Sequence, residues 1–220
     1  MKVVEIFNSI EGEGSRAGYL ATFIRLYGCN LRCSYCDSVY AFTNNDYTEM
    51  SIEEIINAVN GYKCKKVTLT GGEPLIHKDV DVLVKELLTN GYEVNIETNG
   101  SLSINELSNK LPVHLLDNLM YTVDWKSHSS GMADKMLVEN LSFVRPKDVF
   151  KFVVGNKEDL EQMKSIVTTY NPVCQIFVSP IFGDIEPKEI VEYLQFHSLN
   201  DIRMQLQLHK FIWPVDMRGV

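Results

Sequence analysis

No uninterrupted apolar run in this sequence approaches the roughly 20 residues that a bilayer-spanning helix needs. The amino-terminal stretch MKVVEIFNSIEGEG meets acidic residues and glycines early, so it has no apolar segment followed by a small-residue cleavage site. A cytoplasmic location is therefore expected. Basic charge is also scarce: 21 Lys and Arg stand against 29 Asp and Glu, a formal net charge of −8. That balance offers no general nucleic-acid or anionic-membrane surface, and neither partner is expected. Five cysteines in 220 residues are too few for a disulfide-dense scaffold. Internal repeats and low-complexity linkers are absent too. What is present, 45% hydrophobic residues over this length, suits one globular domain spanning residues 1–220 with a large core.

The cysteines are unevenly placed. Cys29, Cys33 and Cys36 form C-x3-C-x2-C, while Cys64 and Cys174 stand alone and are expected to be small packing residues. An odd local set of thiols favours metal or redox chemistry over a disulfide. Zinc accepts thiolates but normally takes four ligands, and no neighbouring pair supplies the fourth. A 4Fe–4S cluster held by three cysteines would keep one iron open to an outside ligand. On spacing alone, zinc, a redox site and chance all stay open.

Strand-like and helical runs alternate along the chain. Residues 3–7, 21–27, 66–70, 93–97, 119–123, 148–154 and 175–179 read as strands, and 202–208 as a last extended segment. Helices are expected after the Ser51–Glu54 capping box, over 79–90, over 103–110, around 133–142, from the Asn156 and Asp159 caps to about Tyr170, and from Glu186-Pro187. The order implies a mostly parallel α/β sheet of six core strands with an amino-terminal extension. A closed eight-stranded barrel would need more chain.

Polar turns follow three of these strands. Gly71-Gly72-Glu73-Pro74, Glu97-Thr98-Asn99-Gly100 and Asp124-Trp125-Lys126-Ser127 each read, in isolation, as an ordinary strand exit. An Asp124–Lys126 ion pair and a packed Trp125 are the plain structural alternatives to any binding role.

Taken with the cysteine triplet, these turns resemble the radical S-adenosylmethionine superfamily. The series IEGEG (Ile10–Gly14), FIRLYGCNLRC (Phe23–Cys33), Ser179-Pro180 and QLHKFIW (Gln207–Trp213) narrows the resemblance to the 7-carboxy-7-deazaguanine synthases, over almost the whole chain. The resemblance implies a compact, incomplete (β/α)6 barrel with its site at the carboxyl ends of the strands. It implies a 4Fe–4S cluster on Cys29, Cys33 and Cys36. S-adenosylmethionine would be bound by Gly71, Gly72, Glu73, Glu97, Asp124 and Ser127, with Lys126 as electrostatic support; Glu73 would either bind the amino group directly or hold the turn. Substrate would be bound by Ile10, Glu11, Gly12, Glu13, Arg25 and His209. Glu13 would accept hydrogen bonds from pterin N–H groups, and the Arg25 fork would clamp a carboxylate. Ser38 stands where family members commonly have threonine and would give magnesium one oxygen ligand.

The implied reaction converts 6-carboxy-5,6,7,8-tetrahydropterin to 7-carboxy-7-deazaguanine, with ammonia lost and S-adenosylmethionine regenerated. A 5′-deoxyadenosyl radical would remove the C6 hydrogen, and no protein side chain is assigned that step. A flavodoxin, ferredoxin or other one-electron donor is implied, as is a homodimer. Two alternatives belong to other classes. One is a radical-generating activase for a glycyl-radical protein; the other is a zinc-stabilised binding module. The residues Pro214–Val220 extend past the point where some family members end, and Arg218 is either a pocket residue or a solvated one.

Overall fold

The computed structural model describes residues 1–214 and 217–220. Its strands are β1 (Lys2–Ile10), β2 (Leu20–Leu26), β3 (Thr48–Glu49), β4 (Lys66–Gly71), β5 (Glu93–Thr98), β6 (Leu119–Lys126), β7 (Val149–Val154), β8 (Gln175–Pro180) and β9 (Ile202–Met204). They form one nine-stranded sheet in the order β3-β1-β2-β4-β5-β6-β7-β8-β9. Strand β1 is antiparallel to β2 and β3, and every pair from β2 to β9 is parallel. The order is linear, so β3 and β9 are edges and the barrel stays open, as expected. The helices are α1 (Tyr40–Thr43), α2 (Ile52–Gly61), α3 (Val80–Thr89), α4 (Ile104–Asn109), α5 (Asn140–Phe143), α6 (Lys157–Tyr170), α7 (Pro187–Phe196) and α8 (His209–Ile212). Among the described residues, no helix is long and apolar enough to cross a membrane.

Side-chain alternation along the strands gives the sheet two different faces. Val67 and Leu69, Val94 and Ile96, Tyr121 and Val123, Phe150 and Phe152 join one buried core. The helices close it with Ile55 and Val59, Leu83 and Leu87, Leu160 and Met163, and Ile190. The intervening positions are polar and still buried: Thr68, Thr70, Asn95, Thr122, Lys151 and Ser179. Register places Arg25 beside Thr70, Glu97 beside Thr122, and Asp124 beside Lys151. One face of the sheet is thus a hydrophobic floor under helices, and the other is a polar interior.

Local signals account for most boundaries. Ser51 Oγ accepts from Glu54 N at 3.2 Å and Glu54 Oε2 accepts from Ser51 N at 2.7 Å, a complete capping box. Asn156 Oδ1 accepts from Asp159 N at 3.0 Å, and Pro187 occupies the first position of α7.

Three expectations are corrected. Strand β6 runs on to Lys126, because Asp124, Trp125 and Lys126 pair with Lys151, Phe152 and Val153; Asp124 and Lys126 are strand residues rather than loop residues. The extended run at 202–208 yields only the three-residue β9, after which the chain turns into α8. The helix expected around 133–142 is broken into a 3-10 turn at Ala133–Lys135 and the short α5, with Met136 extended between them. The break lets Leu137 N donate to Gly100 O at 3.0 Å. Fully buried Asn140 explains why it persists. Its Oδ1 accepts from Ile104 N at 3.1 Å, and its Nδ2 donates to Gly100 O at 3.1 Å and Leu102 O at 2.9 Å. These bonds fix the segment after Glu97. Asn140→Ala would take this partner from Ile104 N and Leu102 O, leaving Gly100 O to Leu137 N, and is expected to cost about 2–4 kcal/mol, read as a lower midpoint in urea unfolding.

Candidate active site

The cysteine segment is shaped by the glycines that lie against it. Gly72 N donates to Leu26 O at 3.2 Å and Glu73 N to Gly28 O at 2.8 Å. A Cβ on Gly72 would come within 2.3 Å of Gly28 O and 2.7 Å of Cys29 Cβ, so only glycine allows this approach. Gly71 has φ +151 and is equally close to Leu26. Glu73 does not reach the cavity. It is fully buried and accepts from Leu75 N (2.9 Å), Thr98 Oγ1 (2.9 Å) and Asn99 N (2.7 Å), tying GGEP to ETNG. Burial pushes its pKa up to about 7, against those three donors. Of the two roles expected for Glu73, the geometry matches the structural one. Asn99 in turn reaches Asn30 Oδ1 at 3.0 Å and Cys29 Sγ at 3.8 Å.

These loops border a cavity of about 720 Å³. Cys29, Cys33, Cys36, Ser38, Gly71, Gly72, Glu97 and Asp124 line it, and so do Ile10, Glu11, Gly12, Glu13, Arg25 and His209. Ser127 does not: its side chain is fully buried below the turn that follows β6. Cys64 and Cys174 also lie outside, both half-buried. Cys64 Sγ donates to Leu20 O at 3.2 Å, and burial pushes the Cys174 thiol up to about 12. Met217, Arg218, Gly219 and Val220 reach the cavity wall, with the Arg218 guanidinium 3.9 Å over the Tyr40 ring. Arg218 is thus a pocket residue.

The cavity floor carries a chain of alternating charge. Lys151 Nζ lies 2.9 Å from Glu13 Oε1 and 3.1 Å from Asp124 Oδ2, and Lys126 Nζ lies 3.2 Å from Asp124 Oδ1. Burial favours neutral forms, but the two lysines hold the Asp124 carboxyl below its ordinary range. Asp124, Glu13 and Glu97 hold Lys151 well above its own. Gln207 Nε2 donates to Glu13 Oε1 at 3.0 Å. Sequence reasoning missed both Lys151 and the role of Gln207. The signal for Lys151 was legible: it is the one charged residue within FKFVV, in a strand buried on both faces.

Arg25 is anchored by its Nε on Glu5 Oε1 at 2.7 Å, and Tyr40 Oη donates to the same oxygen at 3.0 Å. Among the described residues, Nη1 and Nη2 make no hydrogen bond, so the terminal fork is open. Glu11 is buried with Thr68 Oγ1 donating to its carboxylate, and its pKa is pushed up to about 8 by burial and by Glu97. His209 packs on Gly12, where a Cβ would meet its Nδ1 at 2.1 Å, and Leu208 N donates to Gly12 O at 3.0 Å. Burial lowers the His209 pKa against the pull of Glu13. The amino-terminal IEGEG segment and the carboxy-terminal segment therefore meet at the cavity.

A profile of the Radical SAM superfamily matches residues 23–119. The chain is 41% identical over its whole length to a 7-carboxy-7-deazaguanine synthase of Clostridium acetobutylicum, covering 99% of that protein. It is 32% identical to one of Thermoplasma acidophilum, with both chains covered completely. The chain belongs to the 7-carboxy-7-deazaguanine synthase family. The crystal structure of QueE from Escherichia coli has the same fold, with a TM-score of 0.75 at 24% identity over 94% of each chain. Family membership displaces the activase and zinc-module readings.

Radical S-adenosylmethionine enzymes use a 4Fe–4S cluster and S-adenosylmethionine, and the donor set of this synthase fits them. Three free thiols face one cavity, and burial raises the Cys33 and Cys36 thiols while Lys126 pulls both down. Among the described residues, no three His, Cys, Asp or Glu side chains form a finished metal site. Three thiols on one cavity match a 4Fe–4S cluster that keeps one iron open to an outside ligand.

The raised Glu11 pKa predicts a pH dependence. A carboxyl with a folded pKa near 8 and an unfolded value near 4.5 keeps its proton in the folded state. Stability should therefore fall as pH rises between those values, because the folded state binds the extra proton. Glu11→Gln keeps an acceptor for Thr68 and should flatten this part of the pH profile in urea unfolding. An unchanged slope would contradict the burial argument.

Proposed function

We infer that this chain catalyses the ring contraction of 6-carboxy-5,6,7,8-tetrahydropterin to 7-carboxy-7-deazaguanine, with loss of ammonia, in 7-deazapurine biosynthesis. The observation that carries this reading is the common cavity. The three thiols, the open Arg25 fork and Glu13 all line it. Cys29, Cys33 and Cys36 would hold the cluster, with Gly71, Gly72, Glu97 and Asp124 around S-adenosylmethionine. Together these groups supply the one-electron chemistry that removes hydrogen from C6, which the side chains present cannot do.

The residues themselves bind and orient. Arg25 takes the substrate carboxylate in the two-pronged geometry that a guanidinium favours. Glu5 and Tyr40 hold its Nε side still. Glu13 accepts from the pterin N–H and amino groups. With its pKa lowered, His209 is neutral near pH 7 and orders the Gly12 backbone beside the substrate. Magnesium would take Ser38 as one ligand and complete its shell with substrate oxygens and water. The Ser38 hydroxyl lies on the cavity wall and donates to Asp37 Oδ1 at 3.0 Å, which supports that reading. The single domain over residues 1–220, a homodimeric state and reduction by a flavodoxin, ferredoxin or similar carrier complete the reading; the last two rest on family resemblance.

Anaerobic reconstitution followed by iron and sulfide analysis and product mass spectrometry tests the assignment. The wild-type protein should make the deazapurine, and Ala at Cys29, Cys33 or Cys36 should abolish both cluster and product. Arg25→Ala should keep the cluster and raise KM at least tenfold. A reconstituted protein that binds S-adenosylmethionine yet makes no deazapurine would sink the reading.

A further inference from the structure

Lys151 is out of place on hydrophobic grounds. It sits in the middle of β7, whose six residues are all buried, and its own exposure is 8%. A buried ammonium is tolerated only where opposite charge and hydrogen bonds replace water. Here the replacement comes from two directions. Glu13 reaches it from the amino-terminal segment at 2.9 Å, and Asp124 from the neighbouring strand at 3.1 Å. These two carboxylates belong to different halves of the cavity. Glu13 lies with Gln207 and Ser179 on the substrate side. Asp124 pairs with Lys126, next to the cysteines.

We propose that Lys151 is a positioning residue: one buried ammonium that fixes the Glu13 carboxylate against the substrate and the Asp124 carboxylate against S-adenosylmethionine at the same time. The proposal rests on the roles given above to Glu13 and Asp124 and goes beyond them by joining the two half-sites.

The geometry explains why lysine is needed. An ammonium has three donors on a tetrahedral centre, so it bridges two carboxylates arriving at different angles. The Asp124–Lys151 register of the parallel strands fixes one partner, leaving Glu13 as the variable one. Among the described residues, Glu13 is held otherwise only by the neutral donors Gln207 and Ser179, the latter at 3.5 Å. Without Lys151, Glu13 and the nearby Glu97 would face each other with less compensating positive charge. Asp124 would keep Lys126. The substrate half should therefore lose more than the cofactor half.

Lys151→Met keeps side-chain length and removes the charge. In holoenzyme reconstituted with cluster, it should raise KM for the pterin at least tenfold and lower kcat less. Adding it to Glu13→Gln should raise KM less than threefold further, because the two residues act as one unit. Binding of S-adenosylmethionine should still alter the electron paramagnetic resonance spectrum of the reduced cluster, with a line shape shifted from wild type in Lys151→Met but not in Glu13→Gln. Penalties that multiply independently, an unchanged KM, or a wild-type line shape in Lys151→Met would each overturn the proposal. If Lys151→Met fails to fold, Lys151→Gln, which keeps hydrogen-bond donors and removes the charge, takes its place; the same tenfold rise in KM is expected, and a KM within threefold of wild type in this variant contradicts the ionic bridge. Wild-type protein that makes no deazapurine would instead overturn the functional reading itself.

Discussion

A cation buried between two carboxylates is the interaction on which the interior of this molecule depends. The parallel sheet is covered by helices on one face, and that face is predominantly apolar in its central strands. Its other face carries Glu11, Glu13, Glu97 and Asp124 away from bulk water. Such a concentration of negative charge is stable only if it is neutralised or protonated in place. Lys151 and Lys126 neutralise the Asp124 end, and Lys151 also serves Glu13. At the far end Glu11 meets the same problem by protonation. Together these two solutions hold the cavity open as a polar space in the centre of the fold.

The open barrel brings distant segments of sequence to that space. Glycines at positions 71 and 72 let the cysteine segment lie directly on the strand exit beside it. Buried Glu73 links the second strand exit to the third, and Asn140 secures the chain beyond it. The amino-terminal IEGEG segment and the carboxy-terminal LHKFIW segment then meet across Gly12 and His209. The site is assembled by close backbone approaches at Gly12, Gly71 and Gly72 together with side chains that bridge the loops, Glu73, Asn99 and Asn140 among them. This explains why the family resemblance extends over almost the entire chain rather than residing in one motif.

Much of this was legible from sequence. The strand–helix alternation gave a mostly parallel α/β sheet, the family resemblance implied the open barrel, and the site residues it implied line the cavity except Glu73 and Ser127. Local rules failed where tertiary contacts overrode them. Residues 133–142 have helical periodicity, yet Met136 is extended because Leu137 and Asn140 bond the preceding loop. Glu73 and Ser127 lie in motif positions but do not line the cavity: Glu73 is taken up by three internal donors, and Ser127 is fully buried, its hydroxyl without a partner among the described residues. Lys151 was missed for the opposite reason: its strand was read for its apolar content, while the informative residue was the single charge within it.

The central claim is that substrate and S-adenosylmethionine share one cavity in reacting contact. Following deuterium from C6-labelled 6-carboxy-tetrahydropterin tests it most directly. In reconstituted wild-type protein under turnover, mass spectrometry should find the label in recovered S-adenosylmethionine while deazapurine accumulates. Deazapurine formed with S-adenosylmethionine unlabelled would contradict direct hydrogen exchange between the two halves of the cavity.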